Sequence, residues 1–221
     1  MGCKHRLNRK PGVSSIPPSM LFNSYVFIVL FLPVVLGVFW LLGSFGSRMV
    51  AKCWLAAASL FFYGWWNPRY LVLIVLSILV NFALGAWLSR ARAGNRRVER
   101  RLLLAAGLAA NLAVLGYYKY AAFFARNLNL VLGTDLPLLE VFLPLGISFF
   151  TFQQMAYLVD ASRGEVSEYN FVDYTLFVTF FPQLIAGPIV HHADVLPQFA
   201  RSGSYRPSAS HVSIGLTIFA F

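Results

Sequence analysis

The chain has 221 residues, 58% of them hydrophobic and 12% charged, with a mean hydropathy of +0.67. That composition excludes an ordinary soluble domain and implies several membrane spans of about 20 residues each. The formal net charge of +10 would point to nucleic acid in a soluble protein. Here Lys and Arg cluster in short segments between apolar runs, where they orient a membrane protein, so no nucleic acid partner is expected.

Residues 1–19 are polar and basic, with Lys4, Arg6, Arg9 and Lys10 and the turn-forming pairs Pro11-Gly12 and Pro17-Pro18. They read as a disordered extension, and a start at Met20 is expected on charge grounds given below. A signal peptide is disfavoured because the uncharged run over residues 20–47 is much longer than an h-region of about 7 to 15 residues. Arg6 also stands where a myristoylation signal needs Ser or Thr. Cys3 and Cys53 are far apart and lack a CxxC partner, so neither a disulfide framework nor a metal site is expected.

Five further uncharged runs follow, over residues 53–68, 70–89, 102–118, 141–159 and 174–190, each near a span in length. The fold class is therefore all-α, a polytopic transmembrane helical protein with about six membrane segments, or five plus a re-entrant piece. Trp40, Trp54, Trp65, Trp66 and Trp87 lie towards the ends of these runs, as interfacial indoles do. Asn67-Pro68-Arg69 predicts a tight helical hairpin, because Pro68 disfavours helix at Asn67.

Six arginines between Ser89 and Arg101 mark a cytoplasmic loop. Counting segments from it gives nine basic residues on the cytoplasmic side, among them Arg48, Lys52 and Arg163. The other side has five from Met20 onward: Arg69, Lys119, Arg126, Arg201 and Arg206. The basic extension would erase this bias, which is why Met20 is the expected start.

Asn111 stands in the apolar helix of residues 102–125, and Lys119 among Tyr117, Tyr118 and Tyr120 reads as a snorkelling anchor. Residues 127–140, with Gly133, Asp135 and Pro137, read as an outer loop. In the fifth segment Gln153, Tyr157 and Asp160 share a helix face with Gln154 beside them. Polar side chains at this depth face a bundle interior. Interhelical hydrogen bonding and the lining of a substrate path remain equal alternatives for them. Asp160 is expected to end the span, with Arg163-Gly164-Glu165 as a cytoplasmic turn.

The sixth segment contains Phe181-Pro182-Gln183-Leu184-Ile185-Ala186-Gly187-Pro188-Ile189-Val190-His191-His192. Proline removes a backbone donor and glycine loosens a helix. Freed carbonyls at membrane depth survive only where protein buries them or a wet cavity solvates them, so this stretch is expected to be broken or re-entrant and to wall an internal site. Candidate substrate-path residues are Gln153, Gln154, Tyr157, Pro182, Gln183, Gly187, Pro188, His191 and His192. His191-His192 with Asp194 is a poor metal set, and an interfacial polar pair is the favoured reading of the two histidines. No GxSxG elbow or P-loop is present.

Met20-Leu21-Phe22-Asn23-Ser24-Tyr25-Val26-Phe27, Phe61-Phe62-Tyr63-Gly64-Trp65-Trp66, Gly116-Tyr117-Tyr118-Lys119-Tyr120, Leu143-Pro144-Leu145-Gly146-Ile147-Ser148-Phe149, Tyr157-Leu158-Val159-Asp160 and Phe181-Pro182-Gln183-Leu184-Ile185-Ala186-Gly187-Pro188-Ile189 occur in this order. Together they resemble the membrane-bound O-acyltransferase (MBOAT) family, in the branch that includes the alginate O-acetyltransferase membrane component and the D-alanyl transfer protein. The resemblance runs from Met20 onward. It implies a funnel of helices that carries an acyl group from a cytoplasmic donor, acetyl-CoA or an acyl carrier, to a hydroxyl on an extracytoplasmic polysaccharide such as alginate or on a partner acyltransferase. It implies an inner-membrane location and no bound cofactor.

The resemblance also implies that the histidine general base belongs to a later helix, beyond Phe221. No catalytic residue is therefore expected in this chain, which alone would be inactive. The unfinished apolar run from Val212 to Phe221 accordingly reads as the start of a further helix in a longer protein, with residues 20–221 as its N-terminal portion. Two other readings stand beside the enzyme: a non-catalytic membrane scaffold or lipid-binding protein derived from the family, and a transporter, since broken helices also mark solute paths.

Overall fold

The computed structural model describes residues 24–133, 142–166, 170–186, 195, 197–199 and 201–220. The basic extension of residues 1–19, the positions Gly187, Pro188, His191 and His192, and Phe221, past which the catalytic histidine is expected, lie outside them. Among the described residues there is no strand, and 86% of them are helical. The all-helical fold expected from the apolar runs is what is found.

A π-helical stretch, Val26–Phe31, runs into α1, Leu32–Ser44. Pro33, at the start of α1, has no N–H to return to the preceding turn, and a wider turn there is the usual local adjustment. Helix α2, Arg48–Trp66, returns antiparallel to α1. Asn67 then adopts an extended conformation (φ −158°, ψ 110°), its side-chain oxygen accepts from the Arg69 N–H at 3.0 Å, and Pro68 opens α3, Pro68–Ala93. The hairpin read from Asn67-Pro68-Arg69 is thus a capped turn, with proline at the first helical position where its missing donor costs nothing.

Helix α4, Arg97–Leu132, follows the arginine-rich turn and is 36 residues long. Helix α5, Ile147–Arg163, packs against both α3 and α4. It ends at Gly164 (φ 74°), where the Glu165 N–H reaches the Asp160 carbonyl at 2.9 Å in a left-handed glycine cap, as the Arg163-Gly164-Glu165 turn anticipated. Asp160, expected to end the span, lies within α5 about one turn before the helix ends at Arg163 and is buried. Helices α6, Phe171–Thr179, and α7, Phe181–Ala186, a 3-10 turn at Ser202–Tyr205 and α8, Ala209–Ala220, complete the order. The apolar run read as the start of a further helix, from Val212 towards Phe221, is helical as far as Ala220.

Among the described residues three helical stretches are long and apolar enough to cross a membrane: Val26–Ser44, Pro68–Ala93 and Arg97–Leu132. The other three runs counted from the sequence appear as α2, α5 and the broken pair α6 and α7.

Two expectations are corrected. Residues 127–132, read as the start of an outer loop, continue α4. Asn127 bonds the Phe123 carbonyl of its own helix at 2.8 Å, and the chain leaves the helix only at Gly133 (φ 62°). An asparagine that can satisfy itself on the preceding turn does not end a helix. The second correction concerns Arg201 and Arg206, assigned to the outer side. Tyr205 stacks on Phe39 with ring centroids 5.2 Å apart and fills the space beside Gly43, at the end of α1 next to Arg48. Burial pushes the Tyr205 phenol up, with the Asp173 carboxylate adding to the shift and Arg48 opposing it. Asp173 in turn pairs with Lys52 in the first turns of α2 at 2.7 Å. Positions 173 and 205 therefore meet the α1–α2 hairpin at the same end, the end that carries the arginine-rich turn. A sequence count of crossings assumes that each apolar run passes through, which the run beginning at Tyr174 does not.

Candidate functional site

Helix α6 enters from the Lys52–Asp173 end, capped by Asn170, whose side chain accepts from the Asp173 N–H at 2.8 Å. Every residue from Tyr174 to Thr179 is buried, and α6 packs against α2. Thr175 and Thr179 turn their hydroxyls onto their own helix, donating to the Phe171 and Thr175 carbonyls at 2.8 and 2.7 Å. Both threonines are thereby satisfied without leaving the helix, which suits a segment held in an apolar interior.

The break falls at Phe180. Its N–H still closes α6 onto the Leu176 carbonyl, but its ψ of 104° turns the chain, and its carbonyl accepts from both Gln183 and Leu184 at 3.0 and 2.9 Å to start α7. Pro182 sits in that new first turn, where an N–H would have no helical partner in any case. The proline restarts a helix rather than leaving a carbonyl stranded. Phe181 then locks into an aromatic cluster with Phe27, Phe31 and Phe62, at centroid separations of 5.3 to 5.9 Å.

Leu184 reaches the start of α5. Gly146 there has φ 64°, and an added Cβ would lie 3.1 Å from the Leu184 carbonyl oxygen. This is the reason for glycine in Leu143-Pro144-Leu145-Gly146: the left-handed turn and the close passage of α7 both exclude a side chain.

Between α1, α2 and the broken pair lies a cavity of about 340 Å³, bordered by Leu36, Phe39, Leu55, Pro182, Gln183 and Phe199 among others. The Gln183 side chain is buried, and its Nε2 has no hydrogen-bond partner among the described residues. A buried amide donor without a partner costs roughly 1–3 kcal/mol, so it is a natural point for a bound polar group or water to engage. Pro182 and Gln183, both picked out from the sequence, share this wall.

The polar face of α5 belongs elsewhere. Gln154 Oε1 accepts from Ser77 Oγ and Asn81 Nδ2, each at 2.6 Å. Asn81 and Asn111 exchange amide hydrogen bonds at 2.7 and 3.3 Å, and Asn111 also donates to the Gly107 carbonyl at 2.8 Å. This network ties α3, α4 and α5 together. Tyr157 packs against Gly85 and lies 4.4 Å from the Tyr174 ring. Gln153 is fully buried and neither of its side-chain polar atoms is partnered. None of Gln153, Gln154 and Tyr157 borders the cavity that Pro182 and Gln183 line.

Ser77 and Asn81 were not singled out in the sequence. The available signal was the same as for Asn111, a polar side chain inside an otherwise apolar run, and Asn81 carries it in residues 70–89. Among the described residues no group of three or more His, Cys, Asp or Glu could hold a metal ion. His191 and His192 fall outside the described residues, and His211 lies in the first turn of α8.

The chain is 40% identical to a peptidoglycan O-acetyltransferase of Helicobacter pylori over 91% of its own length and 42% of that relative's. It is 37% identical to a probable alginate O-acetylase, AlgI, of Pseudomonas aeruginosa over 81% of its length and 34% of that protein's. Over most of its own length the chain is therefore similar to O-acetyltransferases. A probable alginate O-acetylase of Azotobacter vinelandii is 35% identical over 81% of the chain and 36% of the relative. The chain thus spans well under half the length of these curated relatives. No family model matches the sequence, and no solved structure matches it.

Proposed function

We propose that this protein is the donor-side wall of a multi-pass inner-membrane O-acetyltransferase, which passes an acetyl group from acetyl-CoA or an acyl carrier to hydroxyls of an extracytoplasmic polysaccharide. Peptidoglycan and alginate are the two acceptors that the relatives' names offer. The observation that carries the reading is the 40% identity to a peptidoglycan O-acetyltransferase over 91% of the chain. The buried, proline-broken α6–α7 pair with its cavity supports it. The described helices hold the path open, and the proton acceptor for the attacking hydroxyl belongs to the portion of such an enzyme that this chain does not span. In this reading Gln183 presents its Nε2 to a carbonyl oxygen in the cavity, while Gln153 and Tyr157 shape the neighbouring core. Gly187, Pro188, His191 and His192 remain further substrate-path residues in this reading, and the acceptor is a polysaccharide or an acyltransferase partner.

The test is a chimera in which the matching region of the Helicobacter pylori relative is replaced by this chain, with base-labile acetate on peptidoglycan as the readout. Acetate at a level comparable to the parent enzyme is expected, and Gln183→Ala in the chimera should lower it at least fivefold while leaving the protein in the membrane. A chimera that inserts stably and yields no acetate overturns the reading and leaves the scaffold as the better account.

A further inference from the structure

Where α3 ends, α4 begins and α5 ends, four arginines converge on a second cavity. Arg92, Arg100, Arg101 and Arg163 border a space of about 350 Å³, closed on the membrane side by Leu104. The arrangement is fixed by the fold: Arg92 donates to the Arg163 carbonyl, and the Arg92 side chain lies against Gly164, where a Cβ would collide with it. The two ion pairs among the described residues join Lys52 to Asp173 and Arg96 to Glu99, so no carboxylate there compensates any of these four guanidinium groups. Glu165 is the next acidic side chain along from Arg163, and it is exposed.

Four uncompensated charges around one space repel one another unless an anion fills it. Guanidinium forks match the oxygens of a phosphate in paired hydrogen bonds, and a cluster of several favours a group with more than two oxygens. The depth also fits. The cavity sits at the arginine-bearing ends of two helices long and apolar enough to span a membrane, where a phospholipid phosphate would be met, and Leu104 offers an apolar wall. We infer that Arg92, Arg100, Arg101 and Arg163 form a binding site for a phosphate ester at the membrane surface. The phosphate comes from the headgroup of an anionic phospholipid or from a soluble phosphorylated ligand. The site stands independently of the acetyl-transfer reading.

The experiment compares the purified 221-residue chain with Arg100→Gln/Arg101→Gln and with Arg96→Gln/Arg97→Gln, which removes the same charge outside the cavity. Native mass spectrometry counts adducts with phosphatidylglycerol and with phosphatidylcholine, and calorimetry follows inorganic pyrophosphate. Phosphatidylglycerol or pyrophosphate should bind the parent and the Arg96/Arg97 variant alike, and bind the Arg100/Arg101 variant about tenfold more weakly. Pyrophosphate binding identifies a soluble source, and phosphatidylglycerol binding alone a lipid one. Failure of both ligands to bind the parent, or an equal loss in both double variants, overturns the site. If the Arg100/Arg101 variant loses its helical melt, the exposed Arg163→Gln carries the same comparison.

Discussion

Replacing Asn81 with leucine would remove hydrogen bonds that three helices share, since its amide donates to Gln154 Oε1 and accepts from Asn111 Nδ2. Hydrogen bonds between membrane helices are worth about 0.6 kcal/mol on average and up to roughly 1.7. Asn81→Leu should therefore destabilise the protein by about 1–2 kcal/mol, since it also leaves Asn111 Oδ1 without its donor, while Ser77 still donates to Gln154 Oε1. The double variant with Asn111→Leu should cost less than the two single losses combined, as measured by unfolding in detergent. Strict additivity would mean that the pair does not couple. Glycines give a second residue-scale contrast. Gly85 lies under the Tyr157 ring, so Gly85→Val should cost about 1–3 kcal/mol through overpacking. Gly37, with nothing within 4 Å, should accept alanine with a gain of up to about 1 kcal/mol from helix propensity. A thermal melt of each variant decides the matter, and equal effects would refute the packing assigned to Tyr157.

At the scale of elements, the break between α6 and α7 rests on the far side of the fold as much as on its own proline. Gly146 allows the Leu184 carbonyl to pass at the head of α5, so Gly146→Ala should loosen α7. Its expected signature is faster proteolysis within residues 180–200 at unchanged total helix content, and an unaltered cleavage rate would detach α7 from α5. At the α2–α3 turn, Asn67→Ala should cost about 1 kcal/mol through loss of the Arg69 cap. Much of this was legible beforehand. The hairpin followed from Asn67-Pro68, the end of α5 from Gly164, and the interruption near Pro182 from two prolines, a glycine and a glutamine that a lipid-facing helix does not favour. The extent of α4 was not, because Asn127 reads as a turn former in sequence and becomes a helix residue once its amide finds the Phe123 carbonyl. The sharing of the polar side chains between two places was also hidden. Helical spacing put Gln153, Gln154 and Tyr157 together but could not say that Gln154 faces Asn81 while Gln183 faces α1 and α2.

For the whole molecule the decisive relation is that α6 enters, and Tyr205 lies, at one end of the α1–α2 hairpin. With Arg201 and Arg206 moved to that end, basic residues from Met20 onward divide eleven to three in favour of the side with the arginine-rich turn. The corrected topology fits the positive-inside tendency better than the one read from apolar runs. It can be tested with single cysteines in a background lacking Cys3 and Cys53. A membrane-impermeant maleimide should label Ser204→Cys from the same side as Asn95→Cys and from the side opposite to Arg69→Cys. Labelling of position 204 together with position 69 would show that the chain passes straight through.

A hairpin that dips in and comes back has a consequence for biogenesis. A simple apolar helix can leave the translocation channel and wait in lipid for its neighbours. The α6–α7 pair has no such waiting room, because its buried glutamine and its interrupted backbone are accommodated by walls built from α1, α2, α3 and α5. Those walls are all synthesised earlier, so the order of the codons is also a workable order of assembly: the container is finished before its contents arrive.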